Sequence, residues 1–246
     1  MPFALDSRDK LVEFDRVCLA YGRKSGVLAA DCPALRCLYD KLFAGNGSGA
    51  DMWRRIALAY EIKLGVLQST YDLTTLAGLE NKHWVPKASG GAPLGPFQNA
   101  DVFGVVLGRA RAAFGLITRI RALWDKWFLY MGEEYDPKVF AVDRKHSPRR
   151  AFFRHFNNGV GPFTSEDVNT YKEAIDEFEQ RYRTPEMHGH GSIRLWAFDP
   201  ISAWPIEESS KLLGHWNILN GVVHKSFSHV STALTSFDEH QEWESW

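Results

Sequence analysis

The chain is poor in the features that usually announce a function. It holds only three cysteines in 246 residues, Cys18, Cys32 and Cys37, an odd number without a C-x-x-C pair. That argues against a disulfide framework and fits reduced thiols, each a small apolar side chain, in a cytoplasmic protein. No charge of one sign prevails: 29 Lys and Arg stand against 30 Asp and Glu, a net charge of −1. The molecule as a whole has no field to gather nucleic acid or acidic membrane, so any such role must come from a local patch. The opening residues Met1 to Arg8 lack the apolar core of a signal peptide. No uncharged run approaches the roughly 20 residues that cross a bilayer, and a soluble protein without membrane association is expected. Strand alternation is also missing outside the isolated segment 192–198, too little to build a sheet.

What the chain does have is aromatic mass and helical periodicity. Aromatics make up 13% of residues, with nine Trp and 16 Phe, enough for a substantial packed core. Residues 8–22 place Leu11, Phe14, Cys18 and Tyr21 on one face, and a short helix follows Pro33. After the break at 45–49, a long helix is predicted from Asp51 to about Gly78, with Trp53, Ile56, Tyr60, Leu64, Leu67 and Tyr71 as its stripe. Leu58, Ile62, Val66 and Leu73 thicken that stripe. An irregular connection through Pro86 and Pro96 leads to a second long helix from Ala100 to Met131. Its inner positions are read as Phe103, Val106, Ala110, Ala113, Ile117, Ile120, Trp124 and Trp127 or Phe128. Arg109, Arg111, Arg119, Arg121 and Lys126 form its polar side.

Residues 133–164 read as loop with one short helix, for which Ser147-Pro148 supplies an N-cap and a first-turn proline. Thr164 or Ser165 then caps a helix carrying Val168, Tyr171, Ile175, Phe178 and Tyr182, and Pro185 is expected to stop it. Pro205 opens a last helix to about Leu234, striped by Leu212, Trp216, Leu219, Val223, Phe227 and Val230. Long helices with self-sufficient apolar faces bury best against one another. The predicted fold is an all-α antiparallel four-helix bundle over about 50–235, in a single domain of 1–246. It carries a helical extension over 1–49 and a tail over 236–246, whose Trp243 and Trp246 suit a contact with a partner.

Chemistry concentrates at Arg183-Thr184-Pro185-Glu186-Met187-His188-Gly189-His190. A guanidinium offers a planar fork of donors to phosphate, and an imidazole takes and returns a proton near neutral pH. Together Arg183 and His188 would suffice for metal-free phosphodiester cleavage, the imidazole as general base and the guanidinium holding charge on phosphorus. Glu186 and His190 are supporting candidates. The plainer role for Arg183 is a carboxylate partner or a cation at a helix C-terminus.

Arg183 to His188, set in an all-helical chain, resembles the R-x(4–6)-H motif of the HEPN superfamily. The resemblance implies an antiparallel four-helix bundle, usually dimeric, with the motif near the dimer cleft. It further implies either a ribonuclease that needs no metal or cofactor, or a non-catalytic binding or scaffold module. This chain departs from the pattern at Thr184 and at Pro185.

Two further readings accompany it. Residues 144–155 hold Arg144, Lys145, Arg149, Arg150 and Arg154 with Phe152 and Phe153 and no carboxylate. This is a patch for an RNA backbone, or else a solvated helix whose aromatics dock on the core. Glu186, His188 and His190, with His215 or His224, have side chains that zinc accepts, but no established metal-site spacing supports a metal. A metal-binding protein and a protein-interaction scaffold therefore stand as alternatives to an RNA-linked homodimer.

Overall fold

The computed structural model describes residues 49–80, 100–138, 147–187 and 206–232, together with Lys10, Glu13 and Arg16. Those three are helical, and Arg16 Nε donates to the Glu13 carboxylate at 2.9 Å. The rest of the N-terminal extension, the connection through Pro86 and Pro96, the segment 192–198 and the aromatic tail lie outside the described residues.

Two long helices, α1 (Gly49–Glu80) and α2 (Ala100–Tyr135), form an antiparallel hairpin. Its direction is written in cross-helix ion pairs. Arg54 and Arg55 meet Glu133 (3.0 Å) and Glu134 (3.3 Å), Glu61 meets Lys126, and Asp72 meets Arg119, so numbering rises on one helix as it falls on the other. The buried seam of α1 is Ile56, Ala59, Ile62, Val66, Ser69 and Leu76. Ile56, Ile62 and Val66 lie on the predicted stripe, but Tyr71 is 50% exposed, while Ala59 and Ser69 are fully buried. Small side chains at those two positions let the helices close up. Gly65 serves the same approach, because a Cβ there would lie 2.5 Å from Leu123 Cδ2. On α2, Phe103 is 38% exposed rather than inward, and Arg109 is buried to 2% rather than on the polar side.

Beyond the hairpin come α3 (Pro148–His155), a two-residue antiparallel pair β1 (Gly159–Val160) and β2 (Phe163–Thr164), and α4 (Ser165–Phe178). Gly159 and Gly161 make that tight pair with φ of 104° and 55°, the left-handed region where only glycine is unstrained. A π-helical turn over Glu179–Arg183 continues α4 into α5 (Thr184–Met187), and α6 (Ile206–Thr232) follows. These elements gather on the C-terminal half of α2 around Trp127. Its ring lies 5.6 Å edge-on from both Trp124 and Phe163, and 5.0 Å from Phe152. The indole N–H donates to Ser226 Oγ at 2.8 Å, and Ser226 in turn donates to the Val222 carbonyl, so the buried polar atoms linking α2 to α6 are satisfied. Tyr130 stacks edge-on against Phe227 at 5.3 Å. The described structure is thus almost entirely helical, with no described helix long and apolar enough to cross a membrane.

Candidate basic cavity

α3 starts where the sequence predicts. Ser147, in extended conformation, caps it by accepting the Arg150 N–H at 3.3 Å, and Pro148 takes the first turn, where its missing N–H is harmless. Ala151 and Phe152 are fully buried, with Phe152 4.9 Å from Phe128. Docking that face on the aromatic core leaves Arg149, Arg150 and Arg154 on another. Phe152 of this run docks on the core as the plainer reading expects, while Phe153 and the three arginines line a cavity.

α4 begins with a reciprocal cap. Thr164 Oγ1 accepts the Asp167 N–H at 3.2 Å, and the Asp167 carboxylate accepts the Thr164 N–H at 2.8 Å. That bond, with Lys225 at 3.2 Å, holds the Asp167 carboxyl below its usual range. The far end corrects the sequence reading, for Pro185 does not stop the helix. Thr184 sits at φ −65°, ψ −50°, fully α-helical, and its N–H reaches back five residues to the Glu179 carbonyl. Phe178 and Tyr182 are completely buried, and their packing overrides the local preference of the residue before a proline. The wider turn falls on the carbonyls that the proline ring would otherwise strike.

Between α2, α3, α4 and the π turn lies a cavity of about 580 Å3. Its wall holds six cations, Arg121, Arg149, Arg150, Arg154, Lys172 and Arg183, against two carboxylates, Asp176 and Glu179. Glu179, with a side chain 13% exposed, lies between two guanidiniums: Arg121 on one oxygen and Arg183 Nη1 at 3.1 Å on the other. Arg121 also reaches Asp125, and Arg149 pairs with Asp176. Arg150 and Lys172 have no ion pair among the described residues. A carboxylate bridging two arginines fixes their planes without neutralising the group. Asp125, Asp176 and Glu179 hold Arg121, Arg149 and Arg183 in place, and the wall carries more cations than carboxylates. Phe153, half-buried, contributes the apolar part of the wall.

The structure thus brings Arg183 into one site with Arg149, Arg150 and Arg154, which the sequence showed as two separate features. The plainer reading of Arg183 also holds, since it pairs with Glu179. Arg144, Lys145, His188 and His190 lie outside the described residues, and Glu186 is described only as part of the α5 backbone. The sequence reading missed Arg121, Lys172, Asp176 and Glu179. The signal for three of them was present: 172, 176, 179 and 183 recur at helical spacing on a polar stripe away from the Val168–Tyr182 seam. Arg121 comes from a distant helix and carries no such signal.

Among the described residues no three His, Cys, Asp or Glu side chains gather as a metal cluster. His215 is buried instead between rings, 5.5 Å from Phe178 and 5.7 Å from Tyr182. Burial pushes its pKa down, which favours the neutral ring, with Glu177 acting against and Arg181 with that trend. His224 is exposed on α6. No family model, no curated protein and no solved structure matches this chain.

Proposed function

We propose that this protein binds RNA by its phosphodiester backbone in the cavity around Arg183. The single observation that carries this is the charge of the wall, six cations to two carboxylates in a molecule whose net charge is −1. A neutral chain that concentrates cations from three helices and a turn at one cavity keeps them against their mutual repulsion, and a polyanion offsets that cost. Arg183 and Arg150 supply forked donors for phosphate oxygens, and Lys172 supplies a point charge. Phe153 offers a ring edge beside them.

The HEPN-like bundle is the architecture we propose around this site. The antiparallel α1–α2 hairpin, with Tyr171 of α4 and Ser226 and Phe227 of α6 packed on the C-terminal half of α2, supports it. In that setting the molecule acts as a homodimer in the reducing cytoplasm, where its three cysteines stay as thiols. Cleavage is the catalytic extension. His188 takes the proton of a ribose 2′-hydroxyl, the alkoxide attacks phosphorus, and Arg183 holds the charge that develops. The P–O5′ bond breaks and the departing oxygen takes a proton from the imidazolium or from water, leaving a 2′,3′-cyclic phosphate and a 5′-hydroxyl, with no metal in the step.

Fluorescence anisotropy with a short single-stranded RNA tests the binding reading. Each phosphate contact contributes a slope of about −0.7 in log affinity against log salt. Arg150→Gln, Lys172→Gln and Arg183→Gln should each flatten the slope and weaken binding without lowering the melting temperature. Binding indifferent to salt and to all three substitutions would overturn it. Incubation in excess EDTA tests the extension separately: cyclic-phosphate ends lost on both His188→Ala and Arg183→Ala support cleavage, and intact RNA leaves a binding module.

A further inference from the structure

A second cleft, of about 510 Å3, opens between α1 and α2 and shares no lining residue with the basic cavity. Its volume falls in the range of small-ligand sites. One wall is Leu67 and the half-exposed ring of Tyr71, and the opposite wall is Gly108 and Ala112, which bring little side-chain bulk to fill the space. The polar end is a built pair. Arg119 Nε donates to Asp72 Oδ2 at 2.7 Å, and Gly115 clears room for it, because a Cβ there would stand 2.6 Å from the Arg119 guanidinium and 3.1 Å from the Asp72 oxygen. Asp72 is 7% exposed, and its burial raises the carboxyl's pKa while Arg119 and Arg111 pull it back. Arg111, exposed at the mouth, adds a second guanidinium to the single carboxylate.

Apolar surface from Leu67, Tyr71 and Ala112, with two guanidiniums to one carboxylate at the end, defines a complementary ligand. We propose that this cleft binds a small planar aromatic anion, its ring between Tyr71 and the Gly108–Ala112 wall and its acid group at Arg111 and Arg119. The ring displaces water from apolar surface, which supplies most of the affinity, and the guanidiniums select for the acid group. Carboxylate and phosphate share this chemistry. Asp72 holds Arg119 in place, which makes Asp72 and Gly115 positioning residues.

Isothermal titration calorimetry of the full chain with 2-naphthoate and with 2-naphthyl phosphate tests the proposal, with neutral 2-naphthylmethanol as the control. One saturable site is expected for at least one of the acids, and the tighter of the two identifies the group. The alcohol should bind at least about tenfold more weakly, the equivalent of one lost charge-assisted contact. Gln68→Trp, at an exposed lining position, should block the cleft. Arg111→Gln should cost about tenfold for the acids and leave the alcohol unchanged. Neither substitution should alter RNA affinity, so this test and that of the basic cavity fail independently. The proposal is overturned if no acid gives saturable heat, if both substitutions leave binding intact, or if the alcohol binds as tightly as the acids.

Discussion

Two sides of α2 are packed by different means. Toward α1 it presents Arg119, Leu123, Lys126 and Glu133: Leu123 closes on Gly65, and the charged residues pair with Asp72, Glu61 and Arg54. Those ion pairs hold the register of the hairpin. Toward the later elements it presents a cluster of rings in which Trp124, Trp127 and Phe128 receive Phe152, Phe163 and Tyr171. Charge is arranged differently in the two places. Along the hairpin, ion pairs join Arg54, Arg55, Lys126 and Arg119 to acids of the facing helix, while the wall of the basic cavity gathers six cations to two carboxylates. Matched charge sets the register of two helices, whereas the cavity concentrates one sign of charge at a single place.

Cutting out the centre of the ring cluster should have the largest effect. Trp127→Ala is expected to cost about 3–5 kcal/mol in urea unfolding, because it empties a packed core and removes the N–H that Ser226 Oγ accepts. It should also abolish RNA binding by releasing α3 and α4. Ile62→Ala in the hairpin should cost about 2–4 kcal/mol and spare binding. Equal loss of binding from both would erase the contrast between the two sides of α2.

A smaller effect is expected from His215. Its folded pKa lies below the free value of 6.5, so its contribution to stability is present above that value. It is lost as the pH falls through the depressed one. Thermal melts should show wild type weakening below pH 6.5, and His215→Gln should remove that limb.

Asp72 and Asp167 sharpen the comparison by opposite signs. Burial raises the folded pKa of Asp72, so its contribution is complete at low pH and is lost as pH rises through the raised value. The Thr164 N–H lowers that of Asp167, so its contribution holds at neutral pH and disappears on acidification. Over the acid limb, wild type should therefore gain on Asp72→Asn and lose ground to Asp167→Asn. Parallel melting curves for the two would break the assignment. Smallest is Thr164→Ala, which removes one side of the cap and should lower stability by about 1 kcal/mol.

Helix positions were legible where the signal is local. Ser147-Pro148 and Thr164 with Asp167 write their own starts, and α3 and α4 begin there. Faces were less legible. Tyr60, Leu64, Leu67 and Tyr71 outweigh Ala59 and Ser69 on any hydrophobicity count, yet a close helix pair buries the small residues. Pro185 misled for a similar reason: its local preference is real, but the burial of Phe178 and Tyr182 prevails. For the cavity, Arg183 and the arginines of α3 stood out individually. Their meeting depends on Phe152 docking beside Trp127, which no spacing rule encodes.

The π turn at Glu179–Arg183 carries one residue more than a regular coil would use. Deleting any one residue there would barely shorten the rod but would swing everything beyond it by about 100°. The tip with Thr184 and Pro185 would then point to a different side of the molecule, with Arg183 displaced from Glu179 and the proline forced into an unwidened spiral. Phase at this spot is thus set by residue count as well as residue type: substitutions that keep Tyr182 buried and Glu179 paired leave it unchanged, whereas an insertion or deletion resets it.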